Sequence, residues 1–152
     1  MTIYLIRHAN AGRRQPGGHD RDRPLDESGL VQAARIHGHL DGTDIAQVLS
    51  SPARRCVETV RPLADGLGLT VDVDEALWEG RGATAAMTLL ARLAAADRTA
   101  VLCSHGDVIP MALDTLASRG VTLDGAGCAK GSIWRLETAG GEITGAAYTA
   151  AP

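Results

Sequence analysis

Short apolar runs alternate along the chain with segments in which apolar residues recur at helical spacing. Runs of this kind, bounded by polar and glycine-rich segments, are typical of buried strands. They predict strands at residues 2–8 (TIYLIRH), 44–51 (DIAQVLSS), 69–74 (LTVDVD) and 98–105 (RTAVLCSH). A closing pair of strands is predicted at 131–138 and 141–150, around a glycine-rich turn.

Helices are predicted between these strands. Asp26 is a suitable N-cap for a first helix that runs to about Leu40. Ser51 is the expected N-cap of a second helix, with Pro52 at the first helical position, where its missing N–H costs little. The remaining predicted helices span 83–97 and 107–120, the latter with Asp107 as its cap.

The alternation of strands and helices predicts the fold class. Repeated strand–helix units favour an α/β protein with a largely parallel sheet. We therefore expect one domain over residues 1–152, with three layers: a mostly parallel central sheet and helices on both of its faces. The chain has 152 residues and 45% hydrophobic content, which is enough for one real core.

Composition narrows the classes of function. The formal net charge is −3 and aromatics make up only 3%, so neither bulk charge nor base stacking indicates a nucleic-acid partner. No apolar run approaches the roughly 20 residues that span a bilayer, so no membrane partner is expected. Three widely spaced cysteines form neither a disulfide framework nor a zinc motif. A reducing cytoplasm is the expected location.

Chemically interesting residues follow three of the predicted strands. Arg7 and His8 end the first strand, the stretch SSPARR follows the second, and Ser104-His105-Gly106 ends a later one. Ligands of open α/β sheets collect at the carboxyl ends of the strands. Arginine side chains match phosphate oxygens, a neutral imidazole can attack phosphorus, and helix starts add N–H donors. The set predicts a phosphoryl pocket.

Other catalytic classes fit the spacing less well. A cysteine phosphatase needs Cys-x5-Arg, whereas only four residues separate Cys56 from Arg61. No Gly-x-Ser-x-Gly elbow surrounds Ser104. His8 and His105 lack evident carboxylate or thiolate companions for a metal, so we expect neither metal nor cofactor. A phosphoprotein-binding module without turnover stays open as an alternative.

Four stretches together carry a family resemblance: LIRHANAG, RPLDESGLVQAARI, SSPARRCVET and AVLCSHGDVI. In order and spacing, from residue 2 to about 118, the chain resembles the histidine phosphatase superfamily, the phosphoglycerate-mutase-like group. The short chain looks most like its compact SixA-type phosphohistidine phosphatases. It also resembles the phosphatase domains joined to Nudix hydrolases, which act on nucleotides. The substrate, a phosphoprotein or a small phosphorylated metabolite, and the oligomeric state both stay open.

The resemblance implies roles for individual residues. His8 would be the nucleophile and would become a phosphohistidine, while Arg7, Arg55 and His105 would hold the phosphoryl group. Glu79 would be the general acid that protonates a leaving oxygen, with Glu75 or neither residue as the alternatives. The expected substrate-binding residues are Asn10, Arg13, Arg14, Arg54 and Gly106.

Two parts of this interpretation depend on surroundings that the sequence does not give. The loop arginines are either a cationic rim that steers the substrate, or a solvated loop neutralised by Asp20 and Asp22. The family pattern is also altered at Ala9, Ala11 and Asp107. Asp107 would add negative charge near the phosphate unless its side chain turns away as a helix cap.

Overall fold

A single seven-stranded sheet forms the centre of the molecule. The computed structural model describes all 152 residues. Its strand order is β3-β2-β4-β1-β6-β7-β5, and β6 alone runs antiparallel to the rest. The strands are β1 (Thr2–Arg7), β2 (Gln47–Ser50), β3 (Val71–Val73), β4 (Ala100–Ser104), β5 (Thr122–Asp124), β6 (Ile133–Ala139) and β7 (Glu142–Thr149).

Helices cover both faces of this sheet, which confirms the predicted three-layer α/β architecture. They are α1 (Glu27–Leu40), α2 (Arg54–Leu67), α3 (Thr84–Ala95) and α4 (Val108–Ser118). One face packs against α1 and α2, and the other packs against α3 and α4. None of these helices combines the length and the apolar character needed to cross a membrane.

The central strands are apolar on both sides because both sides are covered. In β1, Ile3 and Leu5 join the core cluster beneath α3 and α4, whereas Ile6 joins the cluster beneath α1 and α2. Successive side chains of a strand point to opposite faces. The continuous apolar run that the sequence shows is therefore the expected pattern for a strand buried in the middle of a parallel sheet.

The helix starts confirm two predicted caps and correct a third. Asp26 accepts a hydrogen bond from the N–H of Gly29, and Asp107 accepts one from Val108, as expected of N-caps. The prediction that Ser51 caps α2 is wrong, because the helix begins at Arg54 with Ala53 as its N-cap. The Ser51 hydroxyl is instead engaged within the cavity described below.

Several short elements were not predicted. The strand β5 has only three residues and pairs with β7 at the edge of the sheet. Single-turn 3-10 helices occupy Asp20–Asp22 and Glu75–Leu77. Both turns lie in the connections that lead away from the carboxyl ends of strands, β1 in the first case and β3 in the second. They bring polar residues towards that edge of the sheet.

Candidate active site

The parallel pairing of three strands brings the predicted residues to one edge. β4 lies between β1 and β2, with Arg7 opposite Ser104 and Ser50 opposite Cys103. The residue that follows each strand, His8, Ser51 or His105, therefore projects from the same edge. The His8 and His105 rings lie 5.5 Å apart between centroids. The predicted convergence at the carboxyl ends of the strands is present in the structure.

A cavity of about 380 Å³ opens at this edge, and no apolar residue lines it. Four cationic side chains, two carboxylates, one histidine and one glycine form its walls. They are Arg7, His8, Arg23, Arg55, Glu79, Gly106, Asp107 and Lys130. Such a lining suits a small, strongly charged group rather than an apolar ligand.

His8 is held in one orientation and in its neutral form. Its side chain is almost fully buried, and Nδ1 lies 2.8 Å from the carbonyl oxygen of Ala9. Because a carbonyl can only accept, Nδ1 carries the hydrogen and Nε2 keeps its lone pair. Burial above all, and then the nearby guanidinium of Arg55, lower the pKa of His8 to about 3. Nε2 has no protein partner and faces the cavity.

The next residue shows how the altered family pattern is accommodated. Ala9 is fully buried, and its N–H donates to the hydroxyl of Thr59 at 2.9 Å. Its φ is not positive, so an alanine fits at this position without strain. The resemblance implies a glycine where this chain has Ala9, and this change leaves the backbone behind His8 intact.

Arg7 is fixed by backbone groups rather than by a carboxylate. Its Nη1 donates to the carbonyl oxygen of Cys128 at 2.6 Å, and its buried Nε has no partner. Gly106 lies directly against the guanidinium, and a Cβ built on Gly106 would sit 2.7 Å from Cζ of Arg7. The glycine thus leaves room for the arginine. The free Nε is a donor available to a bound oxyanion.

Arg55 is the most deeply buried cation of the cavity. Its side chain is 1% exposed, and Nη1 donates to the carbonyl oxygen of Asp20 at 2.8 Å. Nη2 lies 3.0 Å from Oε1 of Glu79 and 3.2 Å from Oδ2 of Asp20. Partial burial raises the pKa of Asp20, but Arg55 together with contacts to Glu79 and Arg23 brings it below the ordinary value.

His105 is locked between a hydroxyl and a guanidinium. Its Nδ1 lies 3.3 Å from Nη2 of Arg55, which can only donate, and its Nε2 lies 2.8 Å from Oγ of Ser51. A neutral ring therefore accepts at Nδ1 and donates from Nε2 to Ser51. The Trp78 ring packs edge-on against it at 5.4 Å. The hydrogen bond from Nε2 to the Ser51 hydroxyl therefore orients the His105 ring.

The carboxylates near the cavity differ in what they face. Glu79 lines it, with Oε2 3.6 Å from Nδ1 of His105, whereas Glu75 bonds Arg21 on the surface. Asp107 lines the cavity too, but its oxygens accept from the N–H groups of Val108 and Gly80 at 2.8 Å. Asp107 therefore acts as the helix cap that the sequence allowed, and Glu79 is a carboxylate of the lining that pairs with Arg55.

Four predicted substrate-binding residues lie outside this lining, so their roles stay predictions. Asn10 donates from Nδ2 to Ser28 at 3.0 Å, which ties the loop to α1. Arg54 pairs with Glu58 along α2 at 2.5 Å. Arg13 and Arg14 line a separate cavity formed by the loop itself.

Three further residues help to form the site; the sequence did not indicate Asp20 or Lys130 for it, and it indicated Arg23 only as one loop arginine of the cationic-rim alternative. Asp20 holds Arg55, while Arg23 and Lys130 line the cavity. Asp20 and Arg23 were two charges among many in one polar loop, and only the folded loop distinguishes them. Lys130 carried one signal that could have found it, since it is the single lysine of the chain.

The fold and the site together define an α/β protein with a histidine-centred pocket for an oxyanion. The family model of the histidine phosphatase superfamily (branch 1) matches residues 3–85, more than half of the chain. The chain therefore belongs to the histidine phosphatase superfamily, as a histidine-type phosphatase domain. The matched range contains Arg7, His8, Arg55 and Glu79, and His105 lies beyond it.

Similar proteins share the sequence or the fold. The chain is 33% identical to the 8-oxo-(d)GTP phosphatase of Mycolicibacterium smegmatis over 99% of its own length and 48% of that protein. It thus spans about half of that relative. The protein histidine phosphatase SixA, solved with tungstate, superimposes with a TM-score of 0.77 at 19% identity, over 99% of this chain and 95% of that one. A mycobacterial glucosyl-3-phosphoglycerate phosphatase gives 0.70 at 22% identity, over 90% of this chain and 92% of that one.

Proposed function

We propose that this chain hydrolyses a phosphorylated substrate through a covalent phosphohistidine formed on His8. One observation carries the proposal: a buried, neutral His8 presents Nε2 to a cavity lined by cations, while its Nδ1–H is held by the carbonyl of Ala9. A nucleophile needs an available lone pair at working pH, and the lowered pKa of His8 supplies it.

In the first step, Nε2 of His8 attacks phosphorus. The N–P bond forms as the bond from phosphorus to the leaving group breaks, and its electron pair goes to the leaving oxygen. The guanidinium groups of Arg7 and Arg55 border the negative oxygens of the transferring group, and the His105 ring contacts Arg55 behind them. Donors that are already in place stabilise charge that develops in the transition state.

Glu79 completes the proton balance for an oxygen leaving group. A phosphate dianion beside its carboxylate favours uptake of a proton, which Glu79 then delivers to the leaving oxygen. In the second step, water attacks the phosphohistidine, Glu79 accepts a proton from that water, and the P–N bond breaks. Neutral His8 and free phosphate result, so the cycle closes without an external reagent.

The position of Glu79 favours a phosphate ester or anhydride of a small molecule as substrate. An oxygen leaving group benefits from a carboxyl within the cavity that can protonate it, whereas a nitrogen leaving group, as in a phosphohistidine, depends less on such a carboxyl. The likeness to an 8-oxo-(d)GTP phosphatase over almost the whole chain supports a small phosphorylated metabolite. Its action in the cytoplasm is supported by three free cysteine thiols.

A protein phosphohistidine is the second candidate substrate. The chain has the compact size of SixA and superimposes on it along nearly its whole length. The same fold also matches a glucosyl-3-phosphoglycerate phosphatase. The fold is therefore compatible with both substrate classes, and the substrate panel below separates them.

The test is a substrate panel assayed with EDTA present. It contains a phosphohistidine protein, nucleotides, sugar phosphates and an aryl phosphate, and the reaction is quenched to trap acid-labile phosphoenzyme. We expect turnover and trapping with the intact chain, and loss of at least about a thousandfold in His8→Asn. His39→Asn, on the exposed side of α1, is the matched control.

Two outcomes would contradict the proposal. Full turnover by His8→Asn would remove the nucleophile from the mechanism. Tight binding of a phosphopeptide without turnover by the intact chain would favour the binding module instead.

A further inference from the structure

The cavity lining contains two cations besides the two that flank His8. Of its two carboxylates, Asp107 is satisfied by backbone N–H groups and Glu79 is paired with Arg55. Arg7 and Arg55 flank His8, where the phosphoryl group is attacked. That leaves Arg23 and Lys130 as cations of the lining without a role in the proposed chemistry.

Lys130 stands out because it is the single lysine of the chain and makes no ion pair. Its ammonium also makes no hydrogen bond to the protein, and Asp26 is a carboxylate close enough to be affected by its charge. Its backbone is nevertheless fixed beside the nucleophile. The next residue, Gly131, donates its N–H to the carbonyl oxygens of Arg7 at 3.1 Å and His8 at 3.2 Å.

Arg23 is fixed in a different way and reaches the same cavity from the loop before α1. Its Nε lies 3.0 Å from Oδ1 of Asp20, and its Nη1 donates to the carbonyl oxygen of Gly12 at 2.8 Å. These contacts hold the guanidinium in one place and leave Nη2 without a partner. A donor held in this way is suited to bind an anion.

We propose that Lys130, together with Arg23, binds a second phosphate adjacent to the one that His8 attacks. The preferred substrates would then be condensed phosphates, such as nucleoside diphosphates and triphosphates, rather than simple monoesters. This inference rests on the proposed function. It is supported by the lining, which offers cations but no apolar wall for an organic leaving group. The organic remainder of the substrate would lie outside the cavity.

The same arrangement helps the chemical step. When Nε2 of His8 attacks the terminal phosphorus, the bond to the bridging oxygen breaks and its electron pair stays on the second phosphate. A cation at that phosphate stabilises the charge that it gains. Lys130 thus binds the leaving phosphate directly and determines the preference for condensed phosphates. Glu79 then has less need to supply a proton to the leaving oxygen.

The test compares two substrates on the same protein, a nucleoside diphosphate and an aryl phosphate with one phosphate. The readout is the ratio of their kcat/KM values. Lys130→Met is expected to lower this ratio about 10- to 100-fold, the usual effect of losing a hydrogen bond to a charged group. Lys130→Arg is expected to restore most of it. Arg35→Met removes the same charge from the exposed side of α1 and serves as the control.

Salt gives a second readout that a merely structural role would not affect. Lys130 is exposed, so its attraction for the second phosphate is screened as ionic strength rises. The ratio should fall with salt in the intact chain and fall less steeply in Lys130→Met, where Arg23 remains.

The outcomes separate this inference from the proposed function. An unchanged ratio in Lys130→Met, or a preference of the intact chain for the aryl phosphate, overturns the second-phosphate site alone. Retained hydrolysis of both substrates by His8→Asn overturns the proposed function itself.

Discussion

The floor of the cavity, formed by the strand ends and helix starts that carry Arg7 and Arg55, contrasts with the loop of residues 10–24 in front of it. Both regions contain arginines, but the side chains are held differently. On the floor, Arg55 is buried and held by a carbonyl and two carboxylates. In the loop, Arg14 is mostly exposed and reaches only Asp20, at 3.3 Å. Arg55 therefore has a fixed position and Arg14 a loosely held one. Arg23 is the loop arginine that is also held, by Asp20 and the carbonyl of Gly12.

The difference shows what determines the position of a charged side chain. The strand ends and helix starts on the floor are buried on several sides, so each cation has one place to lie. A side chain on the loop surface gains little from any single contact, because exposed ion pairs are weak. Burial, rather than the presence of charge, distinguishes the arginines of the site from those of the surface.

Adjacent residues on α2 provide the sharpest way to break this comparison. Arg55→Lys keeps the charge but loses the planar donor set, and we expect about a 100-fold loss in kcat/KM. Arg54→Lys, at the exposed neighbouring position, should stay within about threefold. Steady-state kinetics on an aryl phosphate measures both. Equal losses in the two variants would show that burial does not select the functional arginine.

A glycine on the floor provides the next test. Gly106→Ala would place a Cβ against the Arg7 guanidinium and displace it, so kcat/KM should fall about 100-fold. Gly38→Ala is the control, since nothing lies within 4 Å of a Cβ at that position of α1. It should leave activity unchanged and raise the free energy of unfolding by roughly 0.5–1 kcal/mol. An active Gly106→Ala protein would mean that Arg7 can move without consequence.

The burial of His8 has a cost that depends on pH. Its pKa is about 3 in the folded chain against an ordinary value of 6.5, so between these values the unfolded state binds a proton that the folded chain does not. The contribution of neutral His8 to the free energy of unfolding is fully present above about pH 6.5 and is lost as the pH falls towards 3. At pH 4.5, acid should destabilise the intact chain by about 3 kcal/mol more than His8→Asn. Denaturant titrations at pH 7 and pH 4.5 measure this difference, and parallel losses would contradict it.

The smallest effect is expected in the loop. Arg13→Ala combined with Arg14→Ala should change kcat/KM less than about threefold at physiological salt, because both side chains line a separate cavity. Assays at low salt sharpen the test, since long-range steering of an anion appears only there. A large loss at physiological salt would instead give these arginines the substrate contact that the sequence suggested.

The central strands and the α/β class could be predicted from the sequence because burial on both faces of the sheet leaves a clear apolar pattern. The runs at 2–8 and 98–105 are apolar on both faces, and such strands belong in the middle of a parallel sheet. The edge strand β5 has three residues and no such pattern, so nothing distinguished it from a loop. Ser51 looked like a helix cap because its position before Pro52 suits one. Its hydroxyl instead contacts His105, a residue 54 positions away.

The residues of the site also divide into those that the sequence could place and those that it could not. Arg7, His8 and His105 could be placed because they end neighbouring strands, whose geometry is regular. The contact of Asp20 with Arg55 depends on a single 3-10 turn in a long loop, which no periodic pattern specifies. Lys130 reaches the cavity only because the segment before β6 is hydrogen-bonded to the end of β1.

That last contact has a consequence for the order in which the molecule can assemble. Translation delivers His8 before Gly131, yet the N–H of Gly131 is the group that binds the His8 carbonyl. A ribosome paused after α4 has already produced every residue of the resemblance, yet the first strand still lacks β6 as its neighbour. Within this domain the strand before the reactive histidine is therefore made before its neighbour, and its surroundings are completed only when the closing hairpin of β6 and β7 arrives to flank β1.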